Sequence, residues 1–167
     1  MRFTDETQLW AHIQDELSDT GIVGISGFGG SGKTELGKKL GRDVPGIQLV
    51  HVDDYLDWPR LQKRSDDWDG VLYEDIKSAH IDTFRAGRKP VDWLVIEGIG
   101  LFTQERQKDF DFRIWVDTPI EKANASGQAR DQAFQSLWEN VWVPNDLDFE
   151  KKHKPKQYAD AFFSWCD

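Results

Sequence analysis

The chain has 167 residues, 38% hydrophobic and 31% charged, which suits one soluble domain with a core and is too short for two. Its net charge of −9 argues against a DNA or RNA partner, because such proteins carry basic surfaces. No apolar run approaches the ~20 residues of a membrane span, and no signal-peptide core follows Met1. The single cysteine, Cys166, excludes a disulfide framework or a cysteine metal site, so we expect a cytoplasmic protein.

The first predicted element is an amphipathic helix within residues 1–20. It is expected to run from Thr4, as its N-cap, to Ser18. The prediction rests on apolar residues at four-residue spacing, which place one face against a core. These residues are Leu9, Ile13 and Leu17.

A glycine-rich segment separates the next two predicted elements, an apolar strand at residues 21–27 and a helix at residues 33–40 ended by Gly41. The segment reads GFGGSGKT and fits the pattern G-x-x-x-x-G-K-T, in the strand–turn–helix context that this motif requires. The glycines let successive N–H groups point at a polyphosphate, and the helix N-terminus adds partial positive charge. We therefore predict a nucleoside triphosphate site, with Lys33 on the outer phosphates and Thr34 on Mg²⁺. The predicted phosphate-binding residues are Gly27, Phe28, Gly29, Gly30, Ser31, Gly32, Lys33 and Thr34.

Apolar strands and helical patterns alternate further along the chain. Strands are predicted at residues 47–52, 92–97 and 112–116, and a helix at about 71–86. Strands that are apolar on both faces, with helices between them, are typical of a parallel sheet that is covered on both sides.

A helical lid region is predicted at about residues 119–143. The sequence Thr118-Pro119-Ile-Glu121 fits a capping box with proline at the first helical position, so a helix should start there. With one break allowed, it is expected to run to about Trp142 and to end before Pro144.

These elements predict an α/β fold with three layers, a parallel sheet of about five strands between helices. Residues 1–167 are expected to form a single domain. The structure of residues 145–167 is left open, since residues 158–165 fit either a last strand or a short helix.

Ligands of such folds bind at the carboxyl ends of the strands, which singles out three acidic residues. Asp53 and Asp54 follow the second predicted strand, and Glu97 ends the third. A carboxylate there can accept the proton of an attacking hydroxyl or hold Mg²⁺. Asp53 is a candidate for either role, and Asp54 and Glu97 are candidate magnesium ligands; capping of a turn is the alternative for each.

Arg130 is the predicted cation of the lid. It shares a helix face with Lys122 and Ser126 at four-residue spacing. A guanidinium group there could stabilise charge on the transferred phosphoryl group. The alternative is an ordinary solvated arginine.

Asp69 is a candidate on the acceptor side. Asp67-Trp-Asp69-Gly70 matches the D-x-x-G pattern of GTPases, but it does not follow a strand and the chain has no N-K-x-D guanine motif. A GTPase is therefore disfavoured, and the segment fits either an acceptor-binding loop or a plain turn.

Five segments taken together resemble the uridine kinase-like P-loop kinases, a group related to phosphoribulokinase and pantothenate kinase. The resemblance covers roughly residues 22–131. It implies ATP as donor with Mg²⁺, a small hydroxyl compound such as uridine as acceptor, Asp53 as base and Arg130 in a closing lid. The segments are Ile25-Ser-Gly-Phe-Gly-Gly-Ser-Gly-Lys-Thr34, His51-Val-Asp-Asp-Tyr55, Val95-Ile-Glu-Gly-Ile99, Trp115-Val-Asp-Thr-Pro119 and Gln128-Ala-Arg-Asp131.

Two departures from that family leave alternatives open. Tyr55-Leu56 stands where the family has an aromatic pair after the acid, so Asp53, Tyr55 and Asp69 define the acceptor site only in outline. Residues 124–127 supply no arginine to the lid. An ATP- and Mg²⁺-dependent small-molecule kinase is predicted; the alternative is a nucleotide-binding regulatory module without efficient transfer. The sequence does not indicate the acceptor or the oligomeric state.

Overall fold

The computed structural model describes residues 1–65 and 69–166. Its centre is a six-stranded sheet in the order β1-β6-β5-β2-β4-β3, in which every strand pairing is parallel. The strands are β1 Arg2–Phe3, β2 Gly21–Ser26, β3 Ile47–His51, β4 Trp93–Glu97, β5 Phe112–Val116 and β6 Ala161–Phe163.

Helices connect the strands and cover the sheet. Two π-helical turns, Lys77–Ile81 and Trp138–Trp142, join α4 to α5 and α7 to α8 without a break in the helical backbone. The helices are α1 Glu6–Leu17, α2 Lys33–Asp43, α3 Trp58–Leu61, α4 Tyr73–Ile76, α5 Asp82–Arg85, α6 Ile120–Arg130, α7 Gln135–Leu137 and α8 Val143–His153. Short 3₁₀ helices lie at Val52–Tyr55, Arg106–Asp109, Gln132–Phe134 and Pro155–Tyr158.

Apolar side chains leave both faces of the sheet and form two cores. In β2, Ile22 belongs to one core and its neighbour Val23 to the other, as successive strand residues must. In β4, Leu94 and Val95 divide in the same way. The predicted three-layer α/β fold is therefore confirmed, and the two-sided burial explains why these strands are continuously apolar.

The sheet has one strand more than predicted. β1 contains only two residues, which is too short for a periodicity to be visible. The open question at residues 158–165 is also answered, because a 3₁₀ turn leads into β6 at Ala161–Phe163.

Two helix ends differ from the prediction. Asp5, not Thr4, caps α1, since its carboxylate accepts a hydrogen bond of 2.9 Å from the Gln8 N–H. Gly41 does not end α2, which continues to Asp43. Gly37 and Gly41 both lie inside this helix, and interior glycines are tolerated at modest cost where the helix packs on the sheet.

The predicted capping box at Thr118 does not form. The Thr118 hydroxyl donates to the Ser31 carbonyl at 2.9 Å, and Pro119 itself precedes the first residue of α6. The helix also does not end before Pro144. The π-helical turn Trp138–Trp142 comes directly before α8, and Pro144 lies in the first turn of α8. A widened turn of this kind is one of the ways a helix accommodates a residue that lacks an N–H.

Within residues 1–65 and 69–166, no helix combines the length and the apolar character that crossing a membrane requires.

Leu40→Ala should destabilise the fold far more than Leu147→Ala. Leu40 in α2 is 2% exposed and Leu147 in α8 is 44% exposed. Both lie in helices, so differences in helix propensity cancel. We expect Leu40→Ala to lower the free energy of unfolding by about 2–5 kcal/mol and Leu147→Ala by less than about 1 kcal/mol, measured by urea denaturation. Equal losses would contradict the assigned core.

Candidate functional site

The glycine-rich loop lies between β2 and α2, at the carboxyl ends of the parallel strands. A half-open cavity of about 970 Å³ lies against it. The walls come from the loop, from the 3₁₀ turn after β3, and from the chain between Ser126 and Asp146. The cavity is therefore at the edge where parallel α/β sheets bind their ligands.

The loop backbone needs its glycines. Gly30 and Gly32 have φ angles of 78° and 93°, in the left-handed region that favours glycine. A Cβ atom on Gly30 would lie 2.1 Å from the carbonyl oxygen of Ala123 in α6. The loop therefore packs directly on the predicted lid, and the backbone has no room for larger residues.

Two distant side chains hold the outer side of the loop. The Thr118 hydroxyl and the Trp165 indole N–H both donate to the Ser31 carbonyl, at 2.9 Å and 3.2 Å. These bonds engage one loop carbonyl with two side chains that do not line the cavity. They involve residues from β5–α6 and from the segment after β6, so the loop is held by the tertiary structure.

Lys33 is a buried cation at the base of the loop. Its side chain is 7% exposed, and its Nζ donates to the Phe28 carbonyl at 2.8 Å. Burial lowers the pKa of Lys33, while the nearby carboxylates of Asp146 and Glu97 oppose that shift. An ammonium group has three N–H donors, and the bond to Phe28 uses one of them. The oxygens of a bound phosphate could accept from the others.

Thr34 and Glu97, two of the three predicted metal ligands, are in direct contact. The Thr34 hydroxyl donates to Oε1 of Glu97 at 3.1 Å, and Glu97 is 2% exposed at the end of β4. His51 Nδ1 lies 2.6 Å from the same Oε1 atom. Mg²⁺ in nucleotide sites needs one or two carboxylates together with phosphates and waters, so this donor set fits the ion.

The described residues offer no group of three or more histidine, cysteine or acidic side chains that could hold a metal by themselves. Asp54, also predicted as a metal ligand, is exposed in the 3₁₀ turn and does not line the cavity. Oxygens from a nucleotide would therefore be needed to complete a magnesium shell.

Asp53 is the residue of the acidic pair that reaches the cavity. It is exposed, and its charge acts on both Lys33 and Arg130. Asp53 and Asp54 are successive residues of the 3₁₀ turn and are separated by about a third of a turn, so their side chains leave in different directions. The structure thus places Asp53, and not Asp54, beside the phosphate-binding loop.

The two other predicted acceptor residues lie outside the cavity wall. The Tyr55 hydroxyl is 2.6 Å from His80 Nε2. Asp69 forms an ion pair with Arg106, and its Oδ1 accepts from the Val71 N–H at 3.2 Å. Asp67, from the same predicted segment, lies outside the described residues.

Arg130 ends α6 and lines the cavity. Its guanidinium group forms two bonds to Asp131, of 2.8 and 2.6 Å. This pairing holds the pKa of Asp131 below its ordinary value. The structure therefore brings Arg130 to the site, but with its charge already matched by a neighbouring carboxylate.

An aromatic wall lines the same cavity as Asp53 and Arg130, and the sequence did not reveal it. Trp58 and Phe134 are 45% and 41% exposed, with ring centroids 5.7 Å apart. Trp142 lies 6.2 Å from Trp58. These rings are far apart in sequence, and a count of eight tryptophans could not place them together.

Asp146 was also missed. Its Oδ2 atom accepts a hydrogen bond of 2.9 Å from the Gly29 N–H of the loop. Burial raises the pKa of Asp146, and the Gly29 N–H and the charge of Lys33 oppose the shift. The residue lies in a polar stretch without a motif, so no sequence signal could have identified it.

The buried Lys33 should make stability depend on pH. Because its folded-state pKa is lowered, the unfolded chain binds more protons between that pKa and the ordinary value of 10.5, so stability rises with pH. Relative to Lys33→Met, the wild type should gain free energy of unfolding as the pH rises towards that ordinary value, by at most about 1.4 kcal/mol per pH unit. Urea denaturation of both proteins in phosphate-free buffer measures this, and a decline relative to Lys33→Met would contradict it.

No family model matches the chain. Curated proteins named uridine kinase are similar to it over most of its length. That of Borrelia hermsii is 26% identical over 172 residues, and that of Borreliella burgdorferi strain ZS7 is 28% identical over 174 residues. Each alignment covers 83% of this chain and 84% of the relative.

Solved structures share the fold. A possible uridine kinase from Bacillus stearothermophilus has a TM-score of 0.71 at 17% identity, covering 95% of this chain and 96% of that chain. A provisionally named fructose transport system kinase from Silicibacter sp. TM1040 has a TM-score of 0.72 at 17% identity, covering 98% and 100%. Together with the curated relatives, these comparisons confirm the predicted resemblance of this chain to the uridine kinase-like P-loop kinases.

Proposed function

We propose that the chain is a kinase that moves the γ-phosphate of ATP to a hydroxyl group of a small molecule, a nucleoside such as uridine, with Mg²⁺. The observation that carries the proposal is the convergence of the glycine-rich loop, the buried Lys33 and Asp53 on one cavity. Relatives named uridine kinase support a kinase role and suggest the acceptor class.

Asp53 would act as the general base. It would accept the proton of the acceptor hydroxyl as that oxygen bonds to the terminal phosphorus and the bond to the ADP oxygen breaks. Lys33 and Arg130 would stabilise the negative charge of the transferred group. For Arg130, this requires its guanidinium to turn from Asp131 towards the phosphates.

Thr34 and Glu97 would hold Mg²⁺, which supplies positive charge to the phosphate oxygens. His51 would keep the Glu97 carboxylate in place through its contact of 2.6 Å. Asp54 stays a predicted metal ligand that would have to turn towards the cavity.

The aromatic wall favours an acceptor with a planar ring. Trp58, Phe134 and Trp142 line the cavity that Asp53 also lines, and aromatic surfaces of this kind bind bases by stacking. We propose residues 119–143, which include α6, as the lid of a single domain of residues 1–167. Tyr55 and Asp69 stay predicted acceptor residues that would need to move.

A nucleotide-binding regulatory module is the second candidate. The observation that favours it is the ion pair of Arg130 with Asp131, which neutralises the lid arginine within its own helix end. Such a module would bind nucleotide without acceptor-stimulated turnover.

ADP release from MgATP, measured against a panel of nucleosides and sugars, tests the kinase proposal. We expect release that depends on one class of acceptor and falls to background in Lys33→Met, because the transferred charge then lacks its buried cation. A Lys33→Met variant with near-normal turnover would contradict the scheme. Tight ATP binding without stimulation by any acceptor would favour the regulatory module.

Asp53→Asn should lower acceptor-dependent turnover by about 100-fold or more, because the amide cannot accept the proton. MgATP binding should be retained, since Asp53 is outside the loop. Asp54→Asn is the matched variant, with the same change one residue further on and outside the cavity.

Steady-state kinetics and calorimetric titration of both variants give the result. An equal loss in Asp54→Asn would place Asp54 in the metal shell, as the sequence predicts. Loss of ATP binding in Asp53→Asn would instead give Asp53 a structural role.

A further inference from the structure

The Asp146 carboxylate bonds to the loop that is predicted to bind phosphate. Its Oδ2 atom accepts from the Gly29 N–H at 2.9 Å. Gly29 is the third residue of GFGGSGKT, where backbone N–H groups of this motif face a bound anion. A carboxylate is an anionic oxygen acceptor, so Asp146 makes the kind of bond that a phosphate oxygen would make.

The charge of Asp146 also acts on Lys33. Among the carboxylates that attract the Lys33 ammonium, Asp146 has the largest effect, ahead of Glu97 and Asp53. Asp146 lines the same cavity as Lys33 and Gly29. Of the donors that the motif offers to phosphates, the Gly29 N–H therefore already bonds a protein carboxylate, and the charge of that carboxylate also acts on the lysine.

Neighbouring contacts hold Asp146 at the loop. Asn145 is 1% exposed, and its Oδ1 atom accepts from Arg64 Nη1 at 2.8 Å while its Nδ2 donates to the Lys63 carbonyl at 3.0 Å. One turn earlier, the Trp142 indole N–H donates to the Leu61 carbonyl at 2.7 Å. These bonds tie the start of α8 to residues 61–65, so the position of the carboxylate is set by packing.

We infer that Asp146 is an internal anionic ligand of the phosphate-binding loop, which the phosphates of a nucleotide must displace from the Gly29 N–H. The inference rests on the nucleotide binding of the proposed function. It assigns Asp146 a role that limits affinity for polyphosphates, since like charges at one site repel. The ligand class is a polyphosphate anion, with or without its nucleoside.

Asp146→Asn tests the inference, because asparagine keeps an oxygen for the Gly29 N–H and removes the charge. We expect the Kd of MgATP, measured by calorimetry, to fall about tenfold, which is the order of effect of one close charge at a partly screened site. Inorganic tripolyphosphate, which lacks the nucleoside, should bind more tightly by a similar factor.

Glu139→Gln is the matched control. Glu139 is exposed in the π-helical turn before α8, accepts from the Gln135 side chain at 3.3 Å and does not line the cavity, so the variant removes one negative charge without touching the contacts of Asp146. Its Kd for MgATP should stay within about twofold of wild type, as expected for a distant screened charge. Thermal melts check folding, and Asp146→Ser, which also removes the charge, replaces an Asp146→Asn variant that does not fold.

Unchanged or weaker MgATP binding in a folded, uncharged Asp146 variant would overturn the inference. Weaker binding would mean that Asp146 supports the nucleotide-binding form of the loop. A failure of the inference about Asp146 can be told apart from a failure of the proposed kinase function. Tighter binding without acceptor-dependent turnover would uphold the inference and reject the kinase, whereas turnover with unchanged affinity would do the reverse.

Discussion

Burial of the Lys33 ammonium is the constraint on which the site depends. A cation that is 7% exposed is costly to desolvate, and the loop carbonyl of Phe28 is the acceptor that it bonds within the chain. Asp146 and Glu97 add attraction without removing the cost, since the pKa of Lys33 stays lowered. A site that keeps such a group at the expense of stability is suited to an anionic ligand that offsets the cost on binding.

The loop around Lys33 is shaped by residues that are distant in sequence. The Ser31 carbonyl accepts from Thr118 and Trp165, and α6 packs on Gly30 so closely that a Cβ atom would meet Ala123. The loop is therefore preorganised by three later parts of the chain. Preorganisation of this kind lowers the entropy that binding would otherwise cost.

The sequence was informative where one local pattern determines the structure. The loop, the strands that are apolar on both faces and the acidic residues at their ends all follow from spacing alone. It was not informative where contacts decide the outcome. Thr118 bonds Ser31 rather than capping its own helix, and Asp146 meets Gly29 across 117 residues. Neither contact has a local signature, because each depends on how α6 and α8 pack against the loop.

The register of β3 on β4 connects the catalytic and metal-binding candidates. His51 pairs directly with Glu97, and paired residues of parallel strands point to the same face. The imidazole therefore reaches the carboxylate that Thr34 also contacts, and both use its Oε1 atom. The residues that follow β3 form the 3₁₀ helix that brings Asp53 to the cavity. A slip of one residue would reverse the direction of His51 and carry Asp53 away together with it, so one strand pairing positions both groups.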